Sequence, residues 1–414
     1  MSRSLRTRLD RALYVGGALA IASILPWFAS CAENEGEDVP KDDASSVVPT
    51  PTEAGHDSAI ADAGADATCD ASDPTCAKPI TCAEADWCPV TTPVSSLYTL
   101  TSVWGSGAND VWAVGSGGTI VHFDGTKWAL TPTTPAVRNT FHAVWGTGPT
   151  DVWAVSMTDV LFHTNGFTGG AASWTKVTSA QAEPNDQFPR ATYAIWGTTA
   201  GDVRIGARDR TVFDPKSGGY PTYNQYSKTT EDGGVAWSPS EGAGAIHGFW
   251  GSSPDDVWYI ADNSEKNGWQ RAITMHGTKS PGADGGPPVT TWTAFDSQST
   301  SLLEAIWGSS KDDIWAVGDT GVIRRMTPGL TRWAIVASGT TEALHAIWGS
   351  SANDVWAVGD FGTILHWNGT SWKASVAALP AGKRKAHLFG VWGSGPKDVW
   401  IVGDGIVLHS TGAK

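Results

Sequence analysis

Charge is scarce in this chain. Asp, Glu, Lys and Arg make up 17% of its 414 residues, against about a quarter in an average globular domain. The basic share is the smaller one: 28 Lys and Arg against 42 Asp and Glu leave a net charge of −14. That balance excludes a protein built to grip nucleic-acid phosphates, which needs a basic footprint. Cysteine is confined to five positions, none beyond Cys88, so no thiol chemistry is available to most of the chain. No stretch after residue 98 sustains apolar residues at i, i+3, i+4 and i+7, which excludes a helical bundle. Patterns of the type G-x-S-x-G, H-E-x-x-H, Walker or dinucleotide-binding are absent from the same region, so the sequence predicts no enzyme. What is abundant is glycine, 48 copies, and tryptophan, 23 copies, beside only 7 Tyr and 11 Phe. Gly and Trp at that level point to one β element repeated many times.

The first thirty residues carry an address. Arg3, Arg6, Arg8 and Arg11 precede an apolar run from Ala12 to Phe28. A basic start, a short apolar stretch and small residues at a cut site make an export signal. The run contains Gly16, Gly17 and Pro26 and is shorter than the roughly 20 residues a membrane-spanning helix needs. From Ala32 to Thr68 follow ten acids, one base (Lys41) and no aromatic residue. Such a segment cannot bury enough apolar surface to offset its chain entropy and is expected to form an extended, disordered tether over 31–68. Cys69, Cys76, Cys82 and Cys88 then fall within twenty residues. In an exported chain they read as two disulfides, with three possible connectivities. Their spacings lack the close C-x2-4-C pairs usual for zinc.

Seven repeats make the body, 98–414. Trp-Gly recurs at Trp104, Trp145, Trp196, Trp250, Trp307, Trp348 and Trp392. A clean copy runs Leu344–Trp348, a turn at Gly349–Asn353, then Asp354–Gly359, Thr363–Trp367 and Trp372–Val376. Each apolar run is too short for a helix and is bounded by Gly, Asn or Asp, so each repeat predicts four short strands. Four strands every 41 to 57 residues, seven times over, predict an all-β, seven-bladed propeller. Most tryptophans take one of three fixed places. Seven belong to Trp-Gly; six stand in the second strand (Trp112, Trp153, Trp258, Trp315, Trp356, Trp400), with Arg204 in the seventh; six close the fourth strand (Trp128, Trp174, Trp237, Trp292, Trp333, Trp372). A residue repeated at fixed register is expected to pack between blades. The last repeat ends without a fourth strand, and Asp86–Val90, within the Cys-rich segment 69–97, is expected to supply it and so remove a free sheet edge.

These residues carry resemblances. Phe28-Ala29-Ser30-Cys31 is similar to the lipobox of bacterial lipoproteins, although Phe28 departs from its usual leucine. The resemblance implies cleavage of 1–30, acylation of Cys31, and, with Ala32 next, retention at the outer membrane. The segments Val111–Trp128 and Val355–Trp372 resemble the BNR or Asp-box class of propeller repeat. They are similar to photosystem II assembly-factor-like propellers, to repeat lipoproteins of Gram-negative bacteria and to the propeller of type IV pilus tip adhesins. The resemblance implies a monomeric surface or periplasmic binding module for a protein or glycan at the envelope, without cofactor or nucleic acid. Asp-box propellers include sialidases, so a glycoside-active enzyme is the alternative. Against it, the arginines do not recur on a shared pattern and the Phe-Arg-Ile-Pro motif of that family is missing.

Three sets of residues could carry chemistry. Acids recur in the turn between strands one and two (Asp110, Asp151, Asp202, Asp255-Asp256, Asp312-Asp313, Asp354, Asp398); bonds from their side chains to the turn backbone are expected rather than a metal site. His122, His163, His276, His366 and His409 share a place in strand three, and His142, His247 and His345 stand three residues before a Trp-Gly tryptophan; packing is expected of both sets, and no metal. Repeats 2, 3 and 4 lengthen at 164–173, 215–226 and 277–291, read as connections between strands three and four. Tyr220, Tyr223 and Tyr226 concentrate in one of them and are the expected partner-binding residues, since tyrosine is favoured in recognition loops.

Overall fold

The computed structural model describes residues 80–410 except 159, 178–189, 212–217, 220–221, 232–233, 243, 263–271, 283–285, 287 and 380–384. Cys31, the tether, Cys69, Cys76 and Tyr220 lie outside the described residues.

Seven four-stranded antiparallel sheets follow one another around a central axis, each ordered first strand to fourth from the inside out. In blade 6 the strands are Leu344–Ser351, Asp354–Gly359, Ile364–Trp367 and Trp372–Ala374. Successive hairpins are closed by residues suited to turns. Asn368 Oδ1 accepts from the backbone amides of Thr370 and Ser371, and Asp124 does the same for Thr126 and Lys127 in blade 1. In every blade the Trp-Gly tryptophan stands directly opposite the second-strand position, as in Trp348 opposite Trp356 and Trp196 opposite Arg204.

The ring closes as expected. Trp87–Pro89 pairs antiparallel with Ile406–Ser410, Trp87 opposite Ser410 and Pro89 opposite Leu408. Pro89, which has no amide to donate, sits on an outer strand, where the loss is harmless. The indole of Trp87 is wholly buried and donates to Ser375 Oγ of blade 6 at 3.1 Å. A Cys82–Cys88 disulfide adjoins the closing strand.

Two tryptophan devices join the blades. Each Trp-Gly indole lies on the glycine of the next blade. A Cβ built on Gly146 would stand 2.7 Å from Trp104, one on Gly349 2.7 Å from Trp307, and one on Gly105 2.6 Å from Trp392 of the last blade. No side chain but hydrogen fits there, which is why the dipeptide is invariant around the ring. Farther out, the fourth-strand tryptophan meets the second-strand tryptophan of the preceding blade edge to face. The pairs Trp174–Trp112, Trp237–Trp153, Trp333–Trp258, Trp372–Trp315 and Trp128–Trp400 have centroids 5.3–5.8 Å apart at 83–85°. Trp87 makes the sixth such pair, with Trp356, at 4.9 Å and 89°. Trp292 lacks this partner because Arg204 stands in its place, and meets Tyr259 instead. The apolar core is accordingly split into clusters between neighbouring blades, such as Trp112, Ile120, Phe141, Val152, Phe162 and Trp174. Among the described residues no helix is long and apolar enough to cross a membrane.

Blade 3 departs from expectation. Its third strand is Thr222–Glu231 and its fourth Gly234–Glu241, so Tyr223 and Tyr226 belong to the sheet and not to a connection. Tyr226 is only 2% exposed, and Tyr223 packs against the cluster between blades 2 and 3. Neither stands out as a loop residue would. In blade 2 the expected connection 164–173 is mostly strand, since Val160–Thr168 and Ala171–Val177 extend as a hairpin closed by residues 169–170; in blade 4 residues 281–288 separate Ile273–Ser280 from Val289–Asp296.

Candidate functional site at the channel mouth

The turn acids form side-chain clusters rather than backbone turns. In blade 1, Ser106 Oγ donates to Asp110 Oδ2 at 2.5 Å, while His122 Nε2 and Trp112 Nε1 reach Oδ1 at 2.7 and 3.1 Å. Thr147, Asp151, His163 and Trp153 repeat the arrangement in blade 2. Ser252–Asp256–His276 and Ser394–Asp398–His409 carry it in blades 4 and 7, as do Ser350, Asp354 and His366 in blade 6. Where histidine is missing, arginine supplies the donor: Arg204 to Asp202 and Arg325 to Asp313. The expected bonds from these acids to the turn backbone are replaced by these, because each aspartate opens strand two and points along the sheet. The histidine rings also lie against the second-strand indoles, as His409 on Trp400 at 4.0 Å.

Burial opposes the ionisation of Asp151, yet the hydrogen bonds from His163, Thr147 and Trp153 prevail and hold its carboxyl down to about 2. Asp110 and Asp354 are held below 3.8 in the same way. A carboxylate accepts only, so the histidine nitrogen facing it carries the proton. Serine, aspartate and histidine together invite comparison with a nucleophilic triad. Here the serine donates to the aspartate and not to the histidine, so nothing draws its proton away and this set activates no nucleophile.

The inner strands are different. A cavity of about 510 Å³ opens in the central channel. Seven of its lining residues occupy one place in the repeat, three residues before the Trp-Gly tryptophan: Thr101, His142, Tyr193, His247, Glu304, His345 and Phe389. They stand at the starts of the first strands, at the end of the channel where the second-to-third connections also emerge. The three histidines at this place therefore line the cavity instead of packing between blades. Tyr193 and His247 stack at 5.2 Å and 7°, and His142 meets Tyr193 at 5.7 Å. His345 Nε2 donates to Asp360 Oδ1 at 2.7 Å, and His387 Nδ1 shares that oxygen at 2.5 Å. Burial pushes the pKa of His142 and His247 below 6.5. Burial raises that of Glu304 above 4.5, with the charges of Asp319, Asp262 and Asp360 adding to it against the opposing pull of His345. Among the described residues no group of three His, Cys, Asp or Glu could hold a metal ion.

Thr101, Tyr193, Glu304 and Phe389 were not singled out by the sequence. The available signal was the place itself: within a repeat that fixes Trp and Gly in all seven copies, the residue three before the tryptophan changes from blade to blade. Of the tyrosines expected to bind, Tyr223 and Tyr226 are not among the residues lining this cavity.

No protein-family model matches the chain, and no curated protein does. Solved structures do. YCF48 bound to D1 peptide superposes with a TM-score of 0.55 at 18% identity, covering 78% of this chain and 96% of that one. YCF48 from Cyanidioschyzon merolae gives 0.55 at 16%, covering 79% and 99%. The WD40 propeller of Doa1 gives 0.53 at 11%, covering 79% and 97%. At these identities the likeness is one of fold.

Proposed function

We propose that this propeller is a non-enzymatic, protein-binding module, exported and held to the outer membrane through acylated Cys31, with residues 32–68 as its tether. The observation that carries the binding reading is the inner-strand ring. A position that only packed would repeat its residue as the Trp-Gly position does. This one instead presents seven side chains of five kinds around a cavity, which makes an asymmetric surface from a near-symmetric scaffold. Loops and cavities on a rigid scaffold are where recognition resides. A propeller neighbour seen with a peptide bound, YCF48, supports a polypeptide as the occupant in preference to a glycan. Placement on a membrane anchor suits a module that gathers a partner at the envelope, in assembly or adhesion.

The test is capture from envelope fractions by the tagged full chain, beside a Tyr193→Ser/Phe389→Ser double variant and Cys31→Ala. Wild type should enrich a defined envelope protein and the double variant should lose it, while Cys31→Ala should leave the membrane pellet. Equal capture by wild type and double variant would overturn the mouth as the binding site. Turnover of sialyl or other glycosyl reporters by the purified chain would favour the glycoside-active alternative.

A further inference from the structure

Resting on the reading of the mouth as a polypeptide-binding site, we propose that the cavity takes a cationic side chain, lysine or arginine, of the partner, seated against Glu304 between aromatic walls. Three observations converge on it. The first is an acid with no basic side chain beside it: no lysine or arginine lines the cavity among the described residues, and Glu304 stands on its wall. The histidines nearby do not serve. His247 Nδ1 is 4.0 Å from Glu304 Oε2, beyond hydrogen-bond reach, and burial favours its neutral form. His345 is bonded to Asp360. Since among the described residues no three ligands converge for a metal, the cation proposed is an organic one.

The second observation is the rim. The second-to-third turns of blades 5, 6 and 7 place Asp319, Asp360 and Asp404 directly after the closing glycine of strand two. On the side of blades 1 to 3 stand Arg138, Arg190 and Arg208. Three rim acids and Glu304 draw a basic group to the side of blades 5 and 6, against the opposing charge of Lys385 beside Gly362. Complementary potential of this kind sets orientation as well as attraction.

The third is a run of rings from rim to cavity. Phe361 lies 4.8 Å from His387, His387 stacks near Phe389 at 6.4 Å, and Phe389 meets His345 at 5.0 Å on the cavity wall. Phe361 is 37% exposed and has φ of +52°, a left-handed conformation that a bulky residue adopts at a cost of order 1 kcal/mol or more. The same place in blade 1 is Gly117. Glycine in blade 1 and threonine in blade 5 fill the same place, so the ring is particular to blade 6, where an apolar stem coming over the rim would meet it. Aromatic faces beside a carboxylate suit an ammonium or guanidinium on an apolar stem.

The experiment uses the full chain and two fluorescein-labelled peptides of equal length, one alternating Lys and Ala, the other Glu and Ala, read by anisotropy at physiological salt. A charge-matched control, Asp312→Asn, removes an exposed acid from the turn between strands one and two of blade 5, at the other end of the channel. Wild type should bind the lysine peptide at least about tenfold more tightly than the glutamate peptide. Glu304→Gln should weaken it by at least about tenfold, equivalent to about 1.4 kcal/mol, and Asp312→Asn should leave it nearly unchanged. The Tm of Glu304→Gln at pH 8 should equal or exceed that of wild type, because burial opposes the charge it removes; an essential structural acid would give a fall. Equal weakening by both variants would reduce the effect to long-range charge and overturn the proposal, as would equal binding of the two peptides. If Glu304→Gln binds like wild type while the Tyr193/Phe389 variant still loses its envelope partner, the cationic ligand fails and the mouth stands. If peptide binding depends on Glu304 but envelope capture does not depend on the mouth, the failure belongs to the functional reading.

Discussion

At the scale of single residues, glycine decides more than any charged group. Gly349 needs no unusual backbone; it is glycine because Trp307 lies where its Cβ would be, with the Asp354 carbonyl 2.6 Å away on the other side. Gly395 has nothing within 4 Å of the same position. Gly349→Ala is therefore expected to destabilise by about 1–3 kcal/mol, the usual cost of overpacking, and Gly395→Ala to move the Tm little; thermal unfolding of the pair checks it, and equal Tm values would refute the indole-on-glycine account. Residue identity was legible wherever the repeat holds one residue at one register: Trp and Gly announced their places. Tyr226 was not. Its strand buries Asn224 and Gln225 as well, with Asn224 Nδ2 donating to the Gly244 carbonyl at 2.8 Å. A strand whose buried residues include two amides offers no apolar alternation to read, and so resembles a loop.

At the scale of the blade, the serine–aspartate–histidine cluster ties three strands together: the Ser or Thr ends strand one, the Asp opens strand two, the His lies on strand three. Its strength depends on pH with a definite sign. Asp151 has an ordinary value of 3.8 and is held near 2 in the fold, so unfolding takes up a proton between those values. Its contribution is complete above about pH 4 and disappears as pH falls toward about 2; Asp110 and Asp354 act in the same direction. Asp151→Asn should lower the Tm at pH 7 and flatten its decline between pH 4 and 2. A decline as steep as that of wild type would show that the cluster does not store this energy. The aspartates were visible in the sequence and their partners were not. Spacing along the chain shows which residues share a turn, whereas Ser106 and His122 meet Asp110 only once the hairpins have folded.

At the scale of the whole molecule, the fold was legible because a repeat announces itself many times over, and the mouth was not, because what distinguishes it is the departure from the repeat. Closure is the property that belongs to no single blade. Deleting residues 32–80 should leave the Tm nearly unchanged, whereas deleting 32–95 should lower it sharply, since Trp87 is lost from between Trp356 and Ser375. For Trp87→Ala alone a loss of about 3–5 kcal/mol is expected. Equal stability of the two truncations would show that the ring does not depend on this strand. The closing strand also bears on how such a molecule is made. Trp87–Pro89 is synthesised near the start and its partner Ile406–Ser410 near the end, so the contact that locks the circle is also among the most distant along the chain. Contacts of that kind form late and slowly. A copy halted anywhere in its last blade keeps an orphaned first strand and an open flank, both ready substrates for a protease or a neighbouring edge. The last blade thereby reports on its own synthesis: only once Ile406–Ser410 has been made does Trp87–Pro89 find the strand it pairs with.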